Sequence, residues 1–274
     1  MEWSLALVSQ DIPCILHPPS PPNGWTLEVD GQDARRALHT LRLYVAENRR
    51  PPPALTPALG ELLFHWGVLS WCLILLLVHF LSLDPHQNWR SAGVFDTQAW
   101  QNGDWWRPLT ATFLHAGPGH LAANLTTGFL LLGLAMGRFG VGPTLLTSLL
   151  AGTAANLLAW IIRGHDYVGL GASAVVLGAL GLLAVSIVID TRAQRLSLAT
   201  LARSLLGGLL LFILLGTAPE SDVLAHAAGM VAGATLGLPL ALLPARFRTH
   251  PVFDLSSTFL YLALPIACWW FALH

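Results

Sequence analysis

The chain has 274 residues, of which 54% are hydrophobic and 11% charged, with a net charge of −1 at pH 7. A soluble domain carries about 25% charged residues, so an ordinary soluble domain is excluded and a polytopic membrane protein is indicated. The balanced charge argues against nucleic acid as a partner. Three isolated cysteines, Cys14, Cys72 and Cys268, make neither a disulfide framework nor a metal motif. Residues 1–20 lack a basic n-region and contain Asp11, Pro13 and Pro18, so no signal peptide is expected.

Residues 1–50 read as a small α+β cytosolic domain. SLALV and CILH are short apolar runs, PPSPPNG is a turn-forming linker, and WTLEV alternates as a strand does. DGQDARRALHTLRLYVAENRR then predicts an amphipathic helix. Ala37, Leu38, Leu41, Tyr44 and Val45 supply its apolar side, and Asp30 or Asp33 is placed to cap it. Residues 51–60, beginning PPPALTP, form a stiff proline-rich linker.

From residue 61 apolar blocks alternate with short polar ones. The pattern predicts helices near 62–83, 118–138, 143–162, 173–190, 198–215, 224–243 and 256–273, each close to the roughly 20 residues that span a bilayer. Residues 61–245 make a six-helix membrane core, and 246–274 add a loop and a seventh helix. The longest connection, 84–117, holds Trp89, Phe95, Trp100, Trp105, Trp106 and Phe113, a composition suited to the membrane–water interface. All fourteen basic residues are arginines; with a cytoplasmic amino terminus, eleven lie inside and only Arg90, Arg107 and Arg163 outside. The positive-inside rule therefore predicts that orientation.

No Asp or Glu lies in the middle of a predicted span, which argues against an ion-coupled transporter or channel. The polar residues that remain are few: His65 and His79 on the first helix, His120 and Asn124 opening the second, Asn156 in the third, Ser173 opening the fourth and His226 early in the sixth. The orientation puts His120, Asn124, Ser173 and His226 at similar depth below the outer surface. A serine hydroxyl is a weak nucleophile until a base takes its proton, and histidine is the usual base. Histidine, asparagine and backbone N–H groups can hold the oxyanion that forms. No carboxylate is positioned as a third member, so a dyad is expected; His165 and Asp166, in the loop before Ser173, are the weaker alternative. Gly229, Gly233 and Gly237 recur every four residues behind His226 and would let two helices approach closely. No HExxH or carboxylate cluster points to a metal, and no cofactor is expected.

This pattern resembles the rhomboid intramembrane serine proteases, over roughly residues 60–245. GASA around Ser173 is similar to the family's Gly-x-Ser-x motif, with Gly171 as its glycine. AHAAGMVAG is similar to Ala-His-x-x-Gly-x-x-x-Gly, matching His226, Gly229 and Gly233. HAGPGHLAAN resembles the His-x4-His-x3-Asn segment, and WWRPLTATFLH resembles the Trp-Arg loop motif, matching Trp106 and Arg107. The resemblance implies an all-α rhomboid-like fold in the six-plus-one form. It implies Ser173 as nucleophile, His226 as general base, His120 and Asn124 as oxyanion ligands, and His115 as a structural residue. It further implies transmembrane protein substrates, often single-span, within the lipid bilayer, and a multi-pass location in a bacterial inner membrane. Ala174 stands where many members have glycine, and Leu177 where many have a tyrosine that stacks on the histidine. A catalytically inactive relative that binds membrane clients is the alternative.

Overall fold

The computed structural model describes residues 2–19, 24–48, 64–164, 167–193, 197–217, 221–248 and 250–274. The chain divides into two compact units, Met1–Ala58 and Leu59–His274. The proline-rich linker and the His165–Asp166 pair lie outside the described residues.

In the first unit α1 (Glu2–Val8) is followed by the strands β1 (Cys14–His17) and β2 (Thr26–Val29) and by α2 (Ala34–Glu47). The strands pair antiparallel, with Cys14 opposite Val29 and His17 opposite Thr26. Their alternation turns Cys14, Leu27 and Val29 onto a core of Leu7, Ile12 and Ala37. Asp33 precedes α2, but its side chain makes no cap bond; it faces Arg36 at 3.6 Å instead.

The second unit is helical. Its long elements are α3 (Val68–Leu81), α7 (Pro118–Phe139), α8 (Val141–Arg163), α9 (Ser173–Ala193), α10 (Leu198–Gly216), α11 (Val223–Leu242) and α13 (Pro251–Leu273). Among the described residues α7, α8, α10, α11 and α13 are long and apolar enough to cross a bilayer, and α3 and α9 add shorter apolar segments. The chain is thus a multi-pass membrane protein. The first of these helices is shorter than hydropathy predicts. The Gly67 N–H donates to His65 Nδ1 at 3.0 Å, a local bond that competes with helix formation, so His65 lies before α3 rather than on it. The last helix starts earlier than predicted. Pro251 takes its first position, where a missing N–H costs nothing, and the His250 ring accepts from the Val252 N–H.

The connection before α7 folds into α4 (Trp89–Gly93), β3 (Phe95–Asp96), α5 (Thr97–Gln101), α6 (Arg107–Thr110) and a 3-10 turn over Ala111–Phe113. Arg107 holds it together. Its guanidinium donates to the carbonyls of Ser91 and Val94, each at 2.8 Å, and to Asp104 at 2.7 Å. The Trp106 indole N–H donates to the Ala92 carbonyl. A short strand, β4 (Val168–Gly169), pairs antiparallel with β3. Beyond α11 a single turn, α12 (Ala245–Arg248), leads into α13.

At the centre is α9, whose residues Ala174 to Leu177, Ala179, Leu180 and Leu182 are all buried. A helix apolar all round belongs in the middle of a bundle. It meets α11 through glycine. A Cβ added at Gly229 would stand 2.5 Å from the Ala174 carbonyl oxygen; one at Gly233 would run into the Gly178 carbonyl, and one at Gly181 into that of Met230. The two backbones touch directly along this seam. Gly233→Val is therefore expected to cost about 3 kcal/mol, because the clash is with backbone and neither helix can yield. Gly207→Val, where a Cβ meets open space, should stay within about 0.5 kcal/mol of wild type. Reversible unfolding in detergent, followed by steric trapping, measures both.

Candidate active site

The segment leading into α9 is held as a strand before it turns. Phe95 and Asp96 pair with Gly169 and Val168, and the Gly171 N–H donates to the Ala111 carbonyl at 2.9 Å. Gly171 then adopts φ +128, and a Cβ there would stand 2.7 Å from His120 Cε1 and 3.8 Å from Ser173 Oγ. The backbone conformation favours glycine, and a side chain here would press on the His120 ring. Ser173 follows as the first residue of α9, where helix N–H groups have no intrahelical partner and the dipole is positive.

His226 is set by the start of α11. Asp222 caps that helix by accepting from the Ala225 N–H at 3.0 Å. The same carboxylate takes a bidentate pair from Arg163, at 2.7 and 2.8 Å, and lies beside the Tyr167 hydroxyl. Burial first, and then the Asp222 charge, holds the Tyr167 hydroxyl well above the usual phenol range. One carboxylate thus joins the end of α8 to the start of α11.

One turn further on, His226 Nε2 lies 2.7 Å from Ser173 Oγ, and Nδ1 lies 2.7 Å from the Gly216 carbonyl oxygen. A carbonyl only accepts, so Nδ1 carries the proton. In the neutral ring Nε2 is then the lone-pair nitrogen, and Ser173 donates to it. His226 is buried and Ser173 half-buried.

The other residues singled out by sequence fall close by, with different partners. His120 is half-buried beside Gly171. The Asn124 side-chain N–H donates to the His120 carbonyl at 3.2 Å, back onto its own helix. His115 is fully buried and meets His120 edge to face, with ring centres 5.2 Å apart. Burial, then the neighbouring His120 and His79 rings, pushes its pKa down to about 3, so it is neutral at pH 7. Its carbonyl accepts from Arg90. Asn156 donates to the Pro108 carbonyl at 2.7 Å, tying α8 to the interfacial connection. Among the described residues no group of three His, Cys, Asp or Glu side chains is arranged to hold a metal.

Sequence reasoning missed Gly216, Asp222 and Tyr167. The signal for Gly216 was present: a glycine closes an apolar block in LLGTAP, the usual signature of a helix end. Nothing in the sequence assigned its carbonyl a partner.

A serine at one helix start, hydrogen-bonded to a histidine on a glycine-faced neighbour, defines a multi-pass membrane protein with a partly buried serine–histidine contact between two of its helices. The chain belongs to the rhomboid family: the model of the Rhomboid domain matches residues 102–242. It is 30% identical over 178 residues to the rhomboid protease GluP of Bacillus subtilis, covering 63% of this chain and 32% of GluP. It is 33% identical over 104 residues to YdcA, a rhomboid relative of the same bacterium, covering 37% of this chain and 52% of YdcA. Rhomboid-like protein 11 of the Arabidopsis thaliana chloroplast is 35% identical over 88 residues, 31% of this chain and 29% of that one. The chain thus spans about a third of the length of GluP and about half that of YdcA.

The Asp222 clamp makes its own prediction. Asp222→Ala removes the cap and leaves Arg163 without its acceptor, and it is expected to lower stability by about 1–2 kcal/mol. Thermal unfolding in detergent micelles measures this, and Asp222→Asn, which keeps a capping oxygen, should recover about half of the loss.

Proposed function

We propose that this protein hydrolyses peptide bonds in or next to transmembrane segments of other membrane proteins. The observation that carries the reading is the 2.7 Å hydrogen bond between Ser173 Oγ and His226 Nε2. It supports direct proton transfer from the serine to the ring as the oxygen attacks the scissile carbonyl. Membership in the rhomboid family and likeness to a named rhomboid protease support the same chemistry.

In this reading attack by Ser173 turns the carbonyl into an oxyanion. The His120 ring and the N–H groups at the start of α9 border the space where it forms and stabilise it. Asn124 adds to them once its amide rotates off the His120 carbonyl; until then it braces the turn that carries His120. The imidazolium of His226 gives its proton to the leaving amine, and water then hydrolyses the acyl enzyme through the same base. A substrate helix must unwind locally, since its peptide bonds are otherwise closed within the helix. The domain division at the proline-rich linker, the cytoplasmic amino terminus and the bacterial inner membrane belong to the same proposal; the separation into two compact units supports the first and the arginine distribution the second.

The test is reconstitution in proteoliposomes with a tagged single-span substrate. Ser173→Ala and His226→Ala should each abolish cleavage, and Ser173→Ala should also abolish labelling by a fluorophosphonate. His120→Ala should lower kcat by about 10²–10³, the usual effect of losing an oxyanion donor. Asn124→Ala should lower it about tenfold, as expected for one hydrogen bond. Cleavage that persists in Ser173→Ala overturns the mechanism. Absence of both cleavage and labelling in the wild type favours an inactive relative that binds membrane clients.

A further inference from the structure

We propose that the backbone carbonyl of Gly216 is the positioning group of this site, filling the place that a carboxylate holds in a three-membered triad. The inference rests on the reading of Ser173 and His226 as nucleophile and base. A base of this kind needs its second nitrogen held, because a free imidazole rotates and exchanges tautomers. Here the holder is visible: Nδ1 of His226 and the Gly216 oxygen are 2.7 Å apart in a buried contact.

Three observations argue that this carbonyl is suited to the task. Gly216 is the last residue of α10, so its carbonyl is among those that the helix leaves without an internal partner. The end of a helix also carries partial negative charge, which favours a cation beside it. As His226 takes the serine proton and becomes an imidazolium, this acceptor strengthens its bond to Nδ1. The carbonyl is too weak a base to remove that proton, so the proton gained at Nε2 remains available to the leaving amine.

The second observation is steric. A Cβ at Gly216 would lie 3.2 Å from Phe212 Cε2 and 3.3 Å from Leu177 Cδ1. A side chain here presses on both and shifts the chain end that bears the oxygen. Leu177 stands one turn after Ser173 on α9, so the nucleophile's own helix forms part of the seat. The third concerns α10 itself. Gly216 is the one fully buried residue among those described on this helix, and Phe212 and Leu215 beside it are partly buried against the core, so the contact with His226 lies at the end of α10 that is seated deepest. The carboxylate nearest His226 along the chain, Asp222, is already engaged by Arg163 and the Ala225 N–H.

The test weakens the one oxygen and leaves every side chain near it unchanged. Thr217 is replaced by its α-hydroxy acid, so the Gly216–Thr217 amide becomes an ester and the Gly216 carbonyl a poorer acceptor. Leu209, replaced in the same way, weakens the Gly208 carbonyl in the middle of α10 and controls for ester destabilisation. In proteoliposomes the Thr217 ester should lower kcat about tenfold with KM unchanged, the signature of an interaction that matters in the transition state. The Leu209 ester should leave both near wild type. Nitrogen-15 NMR of labelled imidazoles, with His226→Gln identifying the signal, reads the tautomer without turnover. The wild type should show Nδ1 protonated and Nε2 bare; the Thr217 ester should show a mixture. Unchanged kcat in the Thr217 ester, or a wild-type ring protonated at Nε2 alone, overturns the positioning role. If the wild type cleaves nothing, the proteolytic reading falls, and the tautomer in wild type and ester decides the role of Gly216 alone.

Discussion

The site depends on how closely two helices approach. In a bilayer there is no hydrophobic force between apolar helices, because lipid tails are as apolar as leucine. What remains is van der Waals contact between backbones, and that contact needs glycine. Gly229 rests on Ala174 and Gly233 on Gly178, while Gly181 of α9 rests in turn on Met230 of α11. Ser173 lies next to the first contact and His226 one turn before it. The 2.7 Å Ser173–His226 bond is thus a consequence of the seam. A single methyl group on the facing surface would separate the pair before any reacting atom changed.

A second constraint follows from the scarcity of carboxylates. No acidic residue lies in mid-span, so the interior offers few side-chain acceptors, yet every buried donor needs one. The chain answers with backbone. His226 donates to Gly216, Asn156 to Pro108, and Arg107 to Ser91 and Val94. Free carbonyls occur only where helices end or where the chain is irregular. This gives the interfacial connection and the end of α10 a structural purpose. They supply the acceptors that the acid-poor spans lack. It also explains why the polar groups gather at one level of the bundle, since that is where helices start and stop.

The parts legible in the sequence were those carried by periodic side chains. Apolar blocks marked where the spanning helices lie, closely except at the starts of α3 and α13, and the Gly229–Gly233–Gly237 repeat marked the face that meets α9. The motifs named Ser173 and His226 before any distance was available. What was not legible was carried by backbone or by loops. The start of α3 is moved by an i,i+2 bond to the His65 ring, which no hydropathy window registers. Gly216 acts through a carbonyl that every residue possesses. Asp222 carries no motif, because its partner Arg163 is far from it in sequence and meets it only across the fold.

The two departures from the family pattern can now be weighed physically. At Ala174 the Gly229 position is met by backbone, the carbonyl oxygen and Cα, not by the methyl group. A residue with a small side chain therefore satisfies the seam, provided the glycine opposite is kept. Leu177 removes an aromatic face from beside the histidine, and with it one means of holding the ring. The ring is instead held end-on, by its Nδ1 against the Gly216 carbonyl, and Leu177 fills the space beside that glycine. A hydrogen bond fixes both tautomer and direction, whereas stacking leaves rotation about the ring normal free. In this chain the restraint acts on the proton, and it depends on the position of α10.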